Sequence, residues 1–277
     1  VNPLELFLDD CQIRGLAPKT TNLYKCKIAE FVEHRPEIRD WPQCFAWLRE
    51  RYANPRTRHQ AYRIIRTYIR WLAAHDLIES DWASGHRMPC PEAAPTPILE
   101  VDDFKRLLAA IPIGNKAGRR DRAFFCALFY TGARRDAFRL LPWDRLDLPR
   151  RVASIVTKGG KEQILQLPKV AALELNSWRC YCPSERWVFP SISHPDKPIE
   201  ARHISKRIGD YAKKAGLGRV YLHLLRHSFG TLMVRSTNDI YLVKEAMGHS
   251  QISTTIGYLR RAQQGAVRSA VDKLFGG

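Results

Sequence analysis

Leu222-His223-Leu224-Leu225-Arg226-His227-Ser228-Phe229-Gly230-Thr231 is the stretch on which the fold turns. His223 and Arg226 stand three residues apart, so at the start of a helix both side chains face one side. An imidazole and a guanidinium converging there suit an oxyanion. Alone, H-x-x-R is weak, because His/Arg pairs at this spacing are common and usually structural. Upstream, Tyr130-Thr131-Gly132-Ala133-Arg134 ends an apolar helix on a glycine and leaves an arginine at the turn. Between these lie two β-rich runs, 152–157 and 163–167, around Lys158-Gly159-Gly160-Lys161, the pattern of a hairpin. Downstream, Gly248-His249 leads through a Thr-rich stretch to Tyr258, nine residues beyond His249. A lone tyrosine is ordinarily a core or boundary residue, and the chain has ten.

In this order the four pieces resemble the catalytic domain of the tyrosine recombinases (the phage integrase, Xer-like family). There they read as T-G-x-R, a lysine-bearing hairpin, H-x-x-R-H-x-x-x-T, and a Gly-His pair followed by a tyrosine. The resemblance spans roughly residues 98–265. It implies that Arg134 and Arg226 hold a scissile phosphate, a task suited to a planar fork of donors that stays charged. It implies that Lys158 protonates the leaving 5′-oxygen, that His223 assists proton removal or orients the phosphate, and that His249 donates to a phosphate oxygen. Tyr258 is then the nucleophile and forms a 3′-phosphotyrosyl link. No metal or cofactor is implied. The partners implied are double-stranded DNA and further copies of the chain, a dimer on one site and a tetramer on two. The chain departs from the family pattern at Arg135 and Ala137, where an apolar residue and a glutamate are common. It departs again in the return strand, where Gln163 and Gln166 stand for an arginine and a proline. None of these is a catalytic position in the family.

Four prolines within 86–97 mark an extended linker. The expected organisation is a helical core-binding (SAM-like) domain over 1–85, the linker over 86–97, and an α+β catalytic domain over 98–277. The fold class is thus mainly α with a small antiparallel sheet. In the first part, Leu4, Phe7 and Leu8 begin one apolar stripe. Pro18 then leads into a helix carrying Leu23, Tyr24, Ile28, Phe31 and Val32, and a longer helix runs from about Pro55 to His75. Its apolar face holds Tyr62, Ile65, Ile69 and Leu72. Five arginines, Arg56, Arg58, Arg63, Arg66 and Arg70, follow without an intervening acid. A charged helix face is most often simply solvated. Here the acid-free run points to phosphate contact, joined by Lys19 and Thr20 ahead of it and by Arg135 and Lys161 in the second part. In that part Asp102 or Asp103 is expected to cap a helix, Arg119–Tyr130 to form a second, and Trp187-Val188-Phe189 to add a third strand. Further helices are expected near 200–215, 224–235, 239–247, 252–260 and 262–274. The last either packs on a neighbouring protomer or on its own domain.

Composition sets the frame. The net charge is +17, of which residues 1–90 carry +3 and residues 91–277 carry +14. Such an excess favours a polyanion, since each neutralised phosphate releases a counterion. With 45% apolar residues the chain can bury cores, and its longest apolar run, 123–130, is too short to span a bilayer. Seven cysteines without framework spacing fit a reducing compartment, so the expected location is cytoplasmic and nucleoid-associated, with no secretory leader. The expectation is a simple two-domain recombinase with no arm-binding domain at its N-terminus. Two other readings stand beside it. A type IB topoisomerase shares the chemistry but reseals the same strand, and a non-catalytic DNA-binding protein would keep the fold alone.

Overall fold

The computed structural model describes residues 2–34, 39–91, 96–156, 160 and 162–248. The chain divides into two compact units, Val1–Ala94 and Pro95–Gly277.

The first unit contains α1 (Pro3–Ile13), α2 (Pro18–His34), α3 (Trp41–Arg51) and α4 (Pro55–Ala74). Three of these start alike. Asn2, Asp40 and Asn54 cap α1, α3 and α4 through side-chain oxygens that accept backbone N–H groups, each with a proline in the opening turn. The cap satisfies an orphan donor and the proline fixes φ for the helix that follows. Phe7 is the hub of the core, its ring 5.3 Å from Tyr68 and 5.4 Å from Trp71, with Tyr24 stacked beyond. The apolar face expected on α4 is buried as a whole: Tyr62, Ile65, Ile69 and Leu72 all lie inside. α3 carries Trp41, Cys44, Trp47 and Leu48 into the same core.

The second unit comprises α5 (Val101–Ala109), α6 (Lys116–Thr131), α7 (Arg135–Arg139), β1 (Leu146–Asp147), β2 (Val152–Val156), β3 (Glu162–Gln166), α8 (Lys169–Arg179), α9 (Ala201–Lys214), α10 (Leu222–Thr237) and α11 (Ile240–Met247). The sheet is antiparallel in the order β1-β2-β3, with Ile155 opposite Gln163 and Val156 opposite Glu162. α6 forms the centre. Its Phe124, Phe125 and Leu128 are fully buried, and each such side chain contributes about 1.5–3 kcal/mol by leaving water. Asp121, wholly buried on α6, accepts hydrogen bonds from Arg120, from Arg207 and from the Tyr211 hydroxyl. That shared carboxylate ties α6 to α9. Burial, with Asp121 beside it, pushes the Tyr211 hydroxyl up to about 12.

Several sequence-based expectations need correction. Glu100, not Asp102 or Asp103, occupies the cap position of α5, and it makes no capping hydrogen bond. Its carboxylate pairs with Arg235 instead, while the two aspartates sit inside the first turn, where negative charge complements the helix dipole. Trp187-Val188-Phe189 is not a strand of the sheet. Val188 N donates to Leu141 O and Phe189 O accepts from Ile199, so the run stitches two irregular segments together. The third strand is β1, paired with β2. α10 begins at Leu222, two residues earlier than expected, which places His223 in its first turn. The helices expected near 252–260 and 262–274 lie outside the described residues. Among those described, no helix is long and apolar enough to cross a membrane.

Candidate active site

α6 ends where Gly132 takes φ +64, a left-handed cap that its missing Cβ permits. Thr131, buried, fastens this turn: its hydroxyl donates to Ala127 O at 2.6 Å and accepts from Ala133 N at 3.3 Å. The chain leaves the turn extended at Arg134, whose side chain is exposed. A second reason for glycine is contact, because a Cβ on Gly132 would stand 2.2 Å from the ring of Phe229 on α10. The end of α6 therefore packs directly on the Phe229 ring of α10.

Arg226 is buried on α10 with 5% of its surface exposed. Its Nη1 donates to Gly132 O at 2.5 Å and its Nη2 to Met247 O at 2.8 Å. These acceptors are carbonyls at the C-terminal ends of α6 and α11, where the negative end of each dipole lies. One guanidinium thus closes two helix ends. His223, one turn earlier, is exposed at the rim. Partial desolvation, then the charges of Arg226 and Arg134, hold its imidazole below the usual histidine range.

Arg134, His223 and Arg226 line one open groove of about 600 Å³, whose walls also include Ala137, Leu140 and Val156. Val156 is the last residue of β2 and precedes Lys158 by two positions in the sequence. Lys158, Lys161, His249 and Tyr258 lie outside the described residues. Arg135 does not present a bare charge to this groove. Its guanidinium binds Asp136 at 2.8 Å, and Arg139 binds the same carboxylate at 2.9 Å. Partial burial alone would raise the Asp136 pKa, but the two arginines outweigh it and hold the group below the ordinary carboxylate range.

The arginines of α4 separate into two sets. Arg56 and Arg63 are exposed and line a polar depression of about 480 Å³ with Tyr24 and His59. Arg58 instead donates to Tyr52 O at 2.9 Å and Ala53 O at 3.3 Å. Arg66 donates to Ala83 O, and Arg70 stands 3.8 Å from Asp81. Lys19 is exposed and Thr20 half-buried in the first turn of α2.

Comparison with known proteins decides the family. The phage integrase family model matches residues 97–264. The tyrosine recombinase XerC of Shigella flexneri serotype 5b (strain 8401) is 31% identical over 261 residues, covering 87% of this chain and 85% of that protein. XerC of Salmonella typhi is 29% identical with the same coverage. The chain belongs to the phage integrase family of tyrosine recombinases. Solved members share its fold. XerH bound to a palindromic difH substrate, in a post-cleavage complex, gives a TM-score of 0.77 at 19% identity over 97% of this chain and 83% of that one. A lambda integrase(75–356) dimer bound to a COC′ core site gives 0.76 at 16% identity, covering 95% of both chains.

Several contributors to this groove are not evident in the sequence. Thr131 stands in a motif, but the hold of its hydroxyl on the Gly132 turn does not show in the spacing. Met247 acts through its carbonyl, which side-chain chemistry does not reveal.

The double constraint on Gly132 can be tested against Gly216, which has the same φ of +64 but open space around it. Gly216→Ala should cost about 1–2 kcal/mol, the left-handed penalty alone. Gly132→Ala should cost roughly 1–3 kcal/mol more, from overpacking against Phe229. Chemical denaturation of the two variants measures the difference, and equal costs would refute the close approach.

Proposed function

We propose that the protein is a site-specific DNA recombinase that cuts and rejoins strands through a phosphotyrosyl intermediate on Tyr258. The observation that supports this reading is the convergence of Arg134, His223 and Arg226 on one groove. Such a groove favours an anion, and a phosphodiester is the anion that family membership and the net charge of +17 together suggest.

The chemistry follows from the roles proposed. The two guanidinium groups hold the non-bridging oxygens and stabilise the charge that grows on them in the transition state. His223, kept neutral by its surroundings, can accept or relay the proton that the Tyr258 hydroxyl loses. The Tyr258 oxygen bonds to phosphorus as the bond from phosphorus to the 5′-oxygen breaks. Lys158 supplies the proton that the 5′-oxygen takes up, and His249 donates to a phosphate oxygen. The new ester conserves the bond energy, so a 5′-hydroxyl from another strand reverses the step and joins to it. Double-stranded DNA is the proposed substrate, with a dimer on one site and a tetramer on two, as the lambda integrase tetramer on a Holliday junction suggests. Residues 1–85 are proposed as the core-binding domain, with Lys19, Thr20, Arg56, Arg58, Arg63, Arg66 and Arg70 as candidate contacts. Of these, the exposed Arg56 and Arg63 are the strongest.

A duplex site recovered by binding selection from a random library, nicked so that the leaving strand escapes, should trap a covalent complex. Tyr258→Phe should abolish it. A variant that still traps DNA, or a chain that also relaxes site-free plasmid without resolving junctions, would sink the reading. Single-turnover cleavage should hold as pH falls through about 6.5, the ordinary histidine value, and decline only below it, because protonation of His223 is opposed. An acid limb centred above that value would count against a neutral His223. Arg63→Ala should weaken binding evenly across sequences and reduce the salt slope by about 1. Loss confined to the selected site would instead mark a base contact.

A further inference from the structure

The hairpin that bears Lys158 is fastened to the rest of the unit at a place the catalytic motifs do not include. Gln163 is the second residue of β3, opposite Ile155, and its side chain shares a face with the buried Leu165. An amide at the end of an apolar face needs partners. Its Nε2 donates to Ala246 O at 3.2 Å and to Glu245 O at 3.3 Å, two carbonyls in the last turn of α11. The next carbonyl, that of Met247, accepts from Arg226. Three successive carbonyls at one helix end thus accept from two side chains, one from the hairpin strand and one from α10, and Glu245 O also accepts from Gly248 N at 2.9 Å. Gly248 completes the fit. It takes φ +60, and a Cβ there would stand 2.1 Å from Gln163 Oε1, so the amide seats directly over the residue that precedes His249 in the chain.

We infer that Gln163 is a positioning residue that anchors the lysine-bearing hairpin to the C-terminal turn of α11. The inference rests on the reading of the chain as a recombinase in which Lys158 protonates the leaving oxygen. A primary amide has two N–H donors on one nitrogen, which is what two adjacent carbonyls require. With the tie in place, β3 and α11 share a frame with Arg226, so the strand that follows the lysine is registered against the arginine that holds the phosphate. With the tie lost, the hairpin has to find that register anew in each encounter. Displacement of a catalytic group by about 1 Å is enough to cost up to about 100-fold in rate.

The experiment uses the full chain on the selected nicked duplex, in an ordinary form and in a form with sulfur in place of the bridging 5′-oxygen. A thiolate leaves without being protonated, so the sulfur substrate relieves the need for an acid. Gln163→Met keeps length and bulk but removes the donors; Gln163→Glu keeps shape but replaces them with acceptors. Both are expected to lower single-turnover cleavage of ordinary DNA by about 10–100-fold. DNA affinity should stay within about twofold and the melting transition should remain cooperative. The sulfur substrate should restore both variants to within about threefold of the unchanged protein, and Gln163→Arg, which returns a long donor, should do the same on ordinary DNA. Equal losses on both substrates, undiminished cleavage by Gln163→Met, or a loss explained by weakened binding would overturn the inference. If the unchanged protein traps no covalent complex, or Tyr258→Phe still traps one, the recombinase reading fails and this inference with it. Normal trapping beside an indifferent Gln163 would overturn the inference alone.

Discussion

A guanidinium cannot shed its charge, so sinking Arg226 to 5% exposure requires the protein to surround it with acceptors. Two helix ends meet that requirement. Gly132 O and Met247 O both face the group because α6 and α11 each stop on a left-handed glycine beside α10. Carbonyls at a helix end carry only partial charge. The guanidinium stays charged against them. Around this contact the unit is organised. Thr131 fastens one turn, Phe229 packs against the other side of Gly132, and Ser228 on the same helix accepts from Leu99 N to bring in the segment before α5.

Keeping the charge alive has an electrostatic consequence. Arg134 and His223 share a groove with Arg226, and desolvation, then the two cations, push the imidazole toward its neutral form. The nearby carboxylate of Asp136 does not relieve them, because Arg135 and Arg139 already occupy it. The pairing of Arg135 and Arg139 with Asp136 therefore preserves the positive field of the groove. A site arranged in this way is stabilised when an anion enters, and the repulsion it stores when empty is part of its affinity.

How far the sequence discloses this depends on the physical origin of each feature. α4 was legible because a long amphipathic stripe repeats over five turns, and the hairpin because two β-rich runs flank a Gly-Gly tip. The short β1 has two residues, too few for alternation to register. Trp187-Val188-Phe189 misled for the opposite reason: burial favours the same residue types whether the segment joins a ladder or merely crosses the core. α3 and α8 escaped notice although Asp40 and the buried spacing of Trp41, Cys44, Trp47 and Leu48 mark the first clearly. In the site, His223 and Arg226 were legible through spacing and resemblance, and Arg134 through the turn. The splitting of the α4 arginines was not. Whether Arg58 faces a phosphate or its own backbone depends on where the preceding turn places Tyr52 O, and helical periodicity does not encode that position.

Gln163 shows how a departure from a family pattern can conserve a physical role. The pattern has an arginine at this point of the return strand, and arginine and glutamine are both long side chains that end in N–H donors. What differs is charge. Arg226 already supplies a cation at the end of α11, one carbonyl further along. The amide donates to Glu245 O and Ala246 O without adding charge. Its donors define the position, and the groove keeps its charge on the groups that face it.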